Sequence, residues 1–354
     1  MSRFFSPKYS SLKPYTPGEQ PKEMQYIKLN TNESPFPPSG KAQEAAAKAA
    51  ASLQLYSDPT CKMTTHALAK TLDVDPDEVL LTNGSDEILN FAFMAFCDDH
   101  TPAAFADITY GFYSVFAQIN NLPYKIIPLK EDFTIDTGDY FGLNSTIFIA
   151  NPNAPTGIAL SRDQIEEILQ KNPNNVVVID EAYVDFGGES CVPLIKKYDN
   201  LLVTQTFSKS RSMAGARLGF GVGCKALIAD LNAIKYSTNP YNVNSMTLAA
   251  GYGTLCDPDY TAANCKTIIE NREKTAAELK KLGFEMTNSK TNFLFAKHPD
   301  LDGEALYLEL KRRGILVRHF NTPRISSYNR ITVGTREQMQ TLIQTIQAIL
   351  EEQA

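Results

Sequence analysis

The sequence lacks several patterns that mark particular classes of protein. Lys and Arg number 34 against 40 Asp and Glu, and the net charge of −6 comes without a basic block, which argues against nucleic acid as a partner. The four histidines are scattered and form no H-E-x-x-H motif, which argues against a catalytic metal. The six cysteines show no C-x-x-C pair, a pattern typical of buried thiols in a reducing compartment.

Long hydrophobic runs are also missing. The longest apolar block, residues 88–97, is far too short to cross a bilayer, so no contact with a membrane is expected. Residues 1–7 lack the apolar region of a signal peptide. Together these features predict a cytoplasmic protein.

The chain of 354 residues is longer than one typical hydrophobic core, which predicts more than one lobe. Residues 1–30 are rich in proline and are expected to form an N-terminal arm. Residues 31–250 are predicted to form a large domain. Long helices and short strands then alternate over residues 251–354, which predicts a small C-terminal α/β domain that packs with the arm.

Two predicted buried strands end in polar side chains. Residues 176–179 are followed by Asp180 and Tyr183, and residues 201–206 lead to Lys209. In an open α/β sheet, the carboxyl ends of neighbouring parallel strands meet at one crevice, where ligands bind. A lysine at such a place is a candidate for Schiff-base chemistry, although most lysines are simply surface charges.

A short strand, a glycine turn and a helix start follow one another over residues 79–88. Free backbone N–H groups and the positive end of the helix dipole would face an anion there, with Ser85 as a hydroxyl donor. Ser85 is equally compatible with an ordinary helix N-cap, and Asp86 looks repulsive to a phosphate. Contacts to an anion would therefore be made largely by backbone amides and the Ser85 hydroxyl.

The joint arrangement of Asp-x-x-Tyr, then Ser-Lys, then Arg217 eight residues further on resembles the signature of fold-type I pyridoxal-phosphate enzymes, especially aminotransferases. Several further motifs are similar to those of the histidinol-phosphate aminotransferase family: residues 12–15, 29–35, 84–87, 107–113, 289–293, 314–318 and 329–337. The resemblance implies an α/β fold: a large domain with a mostly parallel seven-stranded sheet sandwiched by helices, plus a smaller α/β C-terminal domain. It also implies pyridoxal 5'-phosphate as cofactor and a homodimer with shared active sites.

The resemblance also implies roles for individual residues. Lys209 would hold the cofactor as a Schiff base and then act as general acid and base, Asp180 would pair with the ring nitrogen, and Tyr183 would bond the ring oxygen. The implied cofactor-binding residues are Ser85, Asp86, Tyr110, Asn153, Asp180, Tyr183, Thr206, Ser208, Lys209, Arg217 and, from the other subunit, Tyr56.

One position departs from the family pattern. Relatives usually carry Asn immediately before Pro-Thr-Gly, where it bonds the ring oxygen, but this chain has Ala154 there. Either Asn153 supplies that bond from one residue earlier, or Tyr183 does so alone. Tyr110 could stack on the cofactor ring, whereas Tyr113 is expected to be core packing.

The implied reaction belongs to histidine biosynthesis: amino transfer from L-histidinol phosphate to 2-oxoglutarate. Both substrates end in an anion, which Arg318, Arg330 and Tyr15 would bind in turn, since an Arg fork suits phosphate and carboxylate alike. Alternatives of the same fold are an aromatic amino acid aminotransferase and a threonine-phosphate decarboxylase. A more remote alternative is a regulator that binds the cofactor without catalysis.

Overall fold

The chain folds around an open seven-stranded sheet. A computed structural model describes residues 2–10 and 12–353. Within these residues the strands, in chain order, are β1 (Ile27–Lys28), β2 (Val79–Thr82), β3 (Ala103–Ala106), β4 (Tyr124–Ile127), β5 (Thr146–Ala150), β6 (Val177–Asp180), β7 (Leu201–Thr206), β8 (Gly219–Gly223), β9 (Glu285–Met286), β10 (Phe293–Lys297), β11 (Ile315–Leu316), β12 (Arg318–His319) and β13 (Asn329–Thr332). The large sheet has the order β2-β8-β7-β6-β5-β3-β4. Its strands are parallel except β8, which runs antiparallel to both neighbours, so the predicted mostly parallel sheet is confirmed.

Helices cover both faces of this sheet. The α-helices of the described residues are α1 (Gly40–Ala50), α2 (Lys62–Leu72), α3 (Ser85–Phe96), α4 (Phe112–Ile119), α5 (Arg162–Lys171), α6 (Lys225–Thr238), α7 (Ser245–Leu255), α8 (Pro258–Lys281), α9 (Gly303–Arg312) and α10 (Arg336–Gln353). Alternate residues of one strand enter different hydrophobic clusters: Val177 and Ile179 of β6 belong to one, and Val178 to another. Because successive side chains point to opposite faces, β6 and β7 are buried on both sides and carry near-continuous apolar runs.

A second, antiparallel sheet forms from the last third of the chain, in the order β12-β13-β10-β9. A separate hydrophobic cluster packs there, with Leu294, Ile331 and Leu342 among its buried members. The N-terminal arm joins this region, because β1 pairs in parallel with β11. The division of the chain at residues 30 and 250 stays a prediction.

The apolar run over residues 315–318 does not form a single strand. The chain changes partners at Val317: β11 pairs with β1 of the arm, whereas β12 pairs with β13 in the antiparallel sheet. The apolar run in the sequence indicated burial, but it carried no information about two different neighbours. Among the described residues, no helix is both long enough and apolar enough to cross a membrane.

Candidate active site

Two connected cavities open at the carboxyl ends of β5, β6 and β7. The inner cavity, of about 340 Å³, is lined by Thr31, Glu33, Ser85, Asp86, Tyr110, Ala150, Pro152, Ala154, Asp180, Ala182, Tyr183, Thr206, Ser208, Lys209, Ala214, Gly215 and Arg217. The outer cavity, of about 520 Å³, also has Thr31, Tyr110, Ala154, Tyr183 and Lys209 in its wall. The sheet therefore brings together side chains that are far apart in the sequence, at the edge where open α/β sheets bind ligands.

Asp180 ends β6 at the floor of the inner cavity. Its carboxylate accepts hydrogen bonds from the Tyr113 hydroxyl at 3.0 Å and from the Thr204 hydroxyl at 3.3 Å. Burial raises the pKa of Asp180 to about 6, and the Tyr113 hydrogen bond opposes that shift. A carboxylate in this position would be stabilised as an anion by a ligand that presents a positive charge.

Tyr113 is a contact to the site that sequence reasoning missed. It is fully buried in the core, as expected, but its hydroxyl reaches the Asp180 carboxylate. Its position on the apolar face of α4 gave no sign of this, because the partner lies 67 residues further along the chain. A buried phenol normally finds a hydrogen-bond partner, and that rule was the available signal.

Lys209 follows β7 and lines both cavities. Its Nζ donates to the backbone oxygen of Thr31 at 3.3 Å and lies 5.7 Å from the centre of the Tyr183 ring. Within the described residues it forms no ion pair with a carboxylate at 4 Å or less. An amine held in this way, without a tight counter-ion, is available to react with a carbonyl group.

The start of α3 and the loop after β7 form an anion-binding cup. Gly84 has φ of +77°, a backbone conformation that favours glycine, and a Cβ there would also displace the Arg217 guanidinium, whose nitrogen would lie 2.5 Å away. Ser208 accepts a hydrogen bond from Thr206 at 3.0 Å. Ser85 is the first residue of α3, where backbone N–H groups are free.

Asp86 lies beside this cup and binds two of its members. Its carboxylate pairs with Arg217 at 2.8 Å and accepts the Tyr110 hydroxyl at 2.6 Å. The expected repulsion of a bound anion is therefore reduced, because Arg217 neutralises the Asp86 charge. The hydrogen bond from Tyr110 to Asp86 also holds the Tyr110 ring at the wall of the inner cavity.

The structure does not bring Asn153 into the inner cavity. Its amide donates to the Ile108 carbonyl at 2.9 Å and to Thr156 at 3.0 Å, and its oxygen accepts the Thr109 hydroxyl at 2.8 Å. Both N–H groups of the amide are thus used within its own loop and in joining that loop to the one after β3. No amide donor is left for the cofactor, contrary to the expectation from the sequence. Ala154 lines the cavity instead, and its methyl group can donate no hydrogen bond.

The outer cavity contains the predicted arginine pair. Arg330 is half-buried between the rings of Phe293 and Phe320, with its guanidinium carbon 5.4 and 5.7 Å from the ring centres, and donates to the Asn30 carbonyl at 3.1 Å. Its Nε has no partner among the described residues, and burial lowers the pKa of Arg330. An uncompensated guanidinium of this kind favours an anionic ligand.

Arg318 and Tyr15 are more accessible at the same cavity. The Arg318 guanidinium donates to the backbone oxygens of Thr16 and Pro17 at 3.2 and 3.4 Å. Tyr15 stacks on Phe112 with ring centres 4.4 Å apart. The arm therefore forms one wall of the outer cavity.

Tyr56 lies away from both cavities of its own chain. Its side chain is 83% exposed and stacks on Tyr241, with ring centres 4.6 Å apart. The expected contact of Tyr56 with the cofactor phosphate of another subunit stays a prediction.

The residues present fit pyridoxal phosphate. The inner cavity offers an amine for the aldehyde, a carboxylate for the ring nitrogen, a phenol at the ring edge and a cup for the phosphate, in Lys209, Asp180, Tyr183 and Arg217. The buried Asp180 lacks a cationic partner within 4 Å among the described residues, which suits a protonated ring nitrogen.

Comparison with known proteins places this geometry in a family. Residues 24–346 match the model of aminotransferase class I and II. A histidinol-phosphate aminotransferase of Brachyspira hyodysenteriae is 49% identical over 99% of this chain and 100% of the relative, and one of Marinomonas is equally similar. The crystal structure of histidinol-phosphate aminotransferase from Sinorhizobium meliloti, in complex with pyridoxal-5'-phosphate, has the same fold: its TM-score is 0.88 at 21% identity, over 100% of this chain and 99% of that chain. The chain therefore belongs to the class I and II aminotransferase family.

Proposed function

We propose that this aminotransferase uses pyridoxal phosphate to transfer the amino group of L-histidinol phosphate to 2-oxoglutarate, giving imidazole-acetol phosphate and L-glutamate. The observation that carries the proposal is the placement of Lys209 and Asp180 at the ends of adjacent strands, on one cavity that also contains an anion-binding cup. The names of relatives with nearly half of their residues identical supply the amino donor.

Binding of the cofactor is assigned to the inner cavity. Arg217, Ser208, Thr206, Ser85 and Tyr56 of the partner subunit would hold the phosphate, and Tyr110 would pack on the ring. Asp180 would hold the proton on the ring nitrogen, since a buried carboxylate is stabilised by an adjacent positive charge. Tyr183 would donate to the ring oxygen.

The reaction depends on proton movement by Lys209. When bound, the cofactor supplies an electron sink for the negative charge that develops at the substrate α-carbon. Lys209 would hold the cofactor covalently, be released by the incoming amine, and then carry the proton from that carbon. Its contact with the Thr31 carbonyl places the free amine between the two cavities.

Recognition of the substrates is assigned to the outer cavity. Arg330, with its unpartnered Nε, would bind the anionic end of each substrate, and Arg318 and Tyr15 would assist from the arm side. The two substrates share an anion and differ in their other end, so one arginine pair can serve both in turn.

The assembly is inferred to be a homodimer with shared sites in the cytoplasm. Tyr56 is exposed on a stacked aromatic pair that does not line its own chain's cavities, and it would complete the phosphate cup of the other subunit. All six cysteines are free, four of them buried, which agrees with a reducing compartment.

The test compares amino donors with 2-oxoglutarate as acceptor. Purified protein incubated with pyridoxal phosphate is expected to show a visible absorbance band. Treatment with borohydride is expected to remove the band and to leave the cofactor permanently attached to Lys209. Turnover is expected with histidinol phosphate, and little or none with phenylalanine, tyrosine or threonine phosphate. Activity with phenylalanine but none with histidinol phosphate would reject the proposed donor, while absence of the visible band would reject the cofactor.

Substitution of Lys209 separates its chemistry from its charge. Lys209→Arg keeps a cation, but a guanidinium stays protonated and cannot form the covalent bond. Turnover is expected to fall by at least about 10³-fold, within the range for losing a general acid–base group. A Lys209→Arg protein that retains the visible band and turnover would contradict the assignment.

A further inference from the structure

Asn32 is a buried residue, two positions after the end of the predicted arm, in an unusual backbone conformation. It follows β1 by four positions, is only 1% exposed and has φ of +55°. This left-handed region is sparsely used by residues other than glycine, although asparagine tolerates it better than most. Such a conformation persists where surrounding contacts hold it.

Two residues of the C-terminal region hold Asn32 in place. The Thr332 hydroxyl accepts the Asn32 backbone N–H at 2.9 Å and donates to the Asn32 side-chain oxygen at 3.0 Å. The Asn292 amide donates to the Asn32 backbone oxygen at 3.0 Å. Asn32 is therefore fixed to β13 and to the residue that precedes β10.

These contacts determine which way the Asn32 amide faces. Because Thr332 already accepts the backbone N–H, its own proton is directed to the Asn32 oxygen, and the Asn32 nitrogen must face the other side. On that side the nitrogen donates to the Tyr183 hydroxyl oxygen at 2.9 Å. The Tyr183 proton is left free to be donated into the cavity.

Tyr183 lies where the inner and outer cavities meet. Its ring packs edge-on against Phe293 at 5.2 Å, which fixes the ring but not the direction of its O–H bond. Neither Asn153, whose N–H groups bind Ile108 and Thr156, nor Ala154 can donate a hydrogen bond at this edge of the cavity. Correct orientation of the Tyr183 proton therefore matters more in this chain.

The geometry points to Asn32 as a positioning residue that orients the Tyr183 hydroxyl toward the ring oxygen of the bound cofactor. This inference rests on the proposed cofactor, and it assigns a role at the site to the segment that follows the arm. Asn32 acts through Tyr183, so its contribution should vanish when the Tyr183 hydroxyl is absent.

The experiment uses Asn32→Gly, because glycine adopts the left-handed backbone conformation without strain and adds no charge. The full-length protein is reconstituted with pyridoxal phosphate, and the pH midpoint of its visible band is measured. Loss of an oriented donor to a charged oxygen should raise this midpoint by roughly half to one pH unit. Titration of the cofactor-free protein should show pyridoxal phosphate affinity weakened by about 3- to 10-fold.

Further variants distinguish positioning from packing. Thr332→Val keeps the Asn32 side chain and its contact with Asn292, but removes the hydroxyl that accepts the Asn32 backbone N–H and orients its amide. It is expected to shift the midpoint in the same direction. Asn32→Gly should cause no additional shift in a Tyr183→Phe background. Asn200→Ala is the matched control, since this buried asparagine, directly before β7, donates to the backbone oxygens of Asn172 and Asn175 between α5 and β6, away from both cavities, and its loss should leave the midpoint unchanged.

The outcomes are separable from those of the proposed function. A wild-type protein without a visible band would reject the cofactor and hence the proposed function. A wild-type band accompanied by an unchanged midpoint in both Asn32→Gly and Thr332→Val would overturn the role of Asn32 alone. A shift of the same size in the Tyr183→Phe background would also overturn it, because Asn32 would then act by another route.

Discussion

At the scale of single residues, the site is built from polar groups whose burial is unfavourable without a ligand. Asp180 is 5% exposed and its pKa is raised by burial to about 6. Arg330 lies between two aromatic rings, and its Nε has no hydrogen-bond partner among the described residues. A ligand of opposite charge stabilises each of these groups, so the free energy lost by burying them unpaired is regained when the ligand binds.

The first prediction concerns the stability of the cofactor-free protein. A carboxyl with a folded-state pKa of about 6 and an ordinary value of 3.8 binds more protons when folded, so its contribution to stability falls as pH rises from about 4 to 6. Asp180→Asn removes the buried charge and should raise the free energy of unfolding at pH 8 by up to about 3 kcal/mol relative to wild type. The gain should be much smaller at pH 4.

Denaturant unfolding of both proteins at the two pH values measures this difference. The same variant should lose turnover by orders of magnitude, since it removes the charge opposite the ring nitrogen. A stability gain that does not depend on pH would show that folding leaves the pKa of Asp180 at its ordinary value, and would contradict the prediction.

The second prediction concerns Arg330. Arg330→Lys keeps the charge but loses the planar fork that can bond two oxygens at once. The KM values for both substrates are expected to rise by about 10- to 100-fold, the effect of losing a hydrogen bond to a charged group, with a smaller change in kcat. Steady-state kinetics with each substrate varied in turn measures the split. An effect on one substrate alone would contradict a shared anion site.

At the scale of elements, the anion cup depends on a close approach between β8 and α3. A Cβ on Gly219 would lie 2.2 Å from the backbone nitrogen of Ser85 and 2.4 Å from the carbonyl carbon of Gly84. Both contacts are with backbone, so no side chain can move aside. The antiparallel direction of β8 brings Gly219, its first residue, to this turn.

The third prediction follows from that contact. Gly219→Ala should displace the start of α3 from the cup and weaken pyridoxal phosphate binding by at least about 10-fold, since the helix N-terminus supplies the free N–H groups. Overpacking should also cost about 1–3 kcal/mol of stability. Gly40→Ala is the control, because nothing lies within 4 Å of its added Cβ, and it should leave cofactor affinity unchanged. Wild-type affinity in Gly219→Ala would show that α3 can move without loss.

The arm and the residues directly after it contact both the C-terminal region and the active site. β1 pairs with β11, and four residues later Asn32 reaches Tyr183 beside the large sheet. Between them the Thr31 carbonyl accepts the Lys209 amine. The arm and the two residues after it therefore form part of the site wall as well as part of the C-terminal packing.

At the scale of the whole molecule, each subunit is proposed to lend Tyr56 to its partner. The fourth prediction uses this sharing. Tyr56→Ala and Lys209→Ala homodimers should each be weakly active or inactive. When the two proteins are unfolded together and refolded, one site of every mixed dimer has neither substitution, and activity should return.

Turnover of the mixture, measured against each variant refolded alone, tests whether each site contains residues of both subunits. Recovery requires subunits that exchange and sites that draw on both chains. A mixture with no more activity than the sum of its parts, in which mixed dimers are demonstrated by tagged copies, would contradict a shared site.

The sequence by itself determined the strands that end in Asp180 and Lys209, the glycine turn before Ser85 and the resemblance that joins them. These features are local: an apolar run predicts a buried strand, and a polar residue directly after the run then lies at the edge of the sheet. The fold class, the family and the chemistry of the inner cavity could be predicted from this level.

Only the tertiary structure decided the direction of short polar side chains. Asn153 donates to Ile108 in the loop after β3, Tyr113 reaches Asp180 from the core, and Asn32 reaches Tyr183 from the segment that follows the arm. It also divided residues 315–319 between two sheets at Val317. In each case the deciding partner is distant in the sequence, and a hydrogen bond between distant residues leaves no periodic or compositional pattern along the chain.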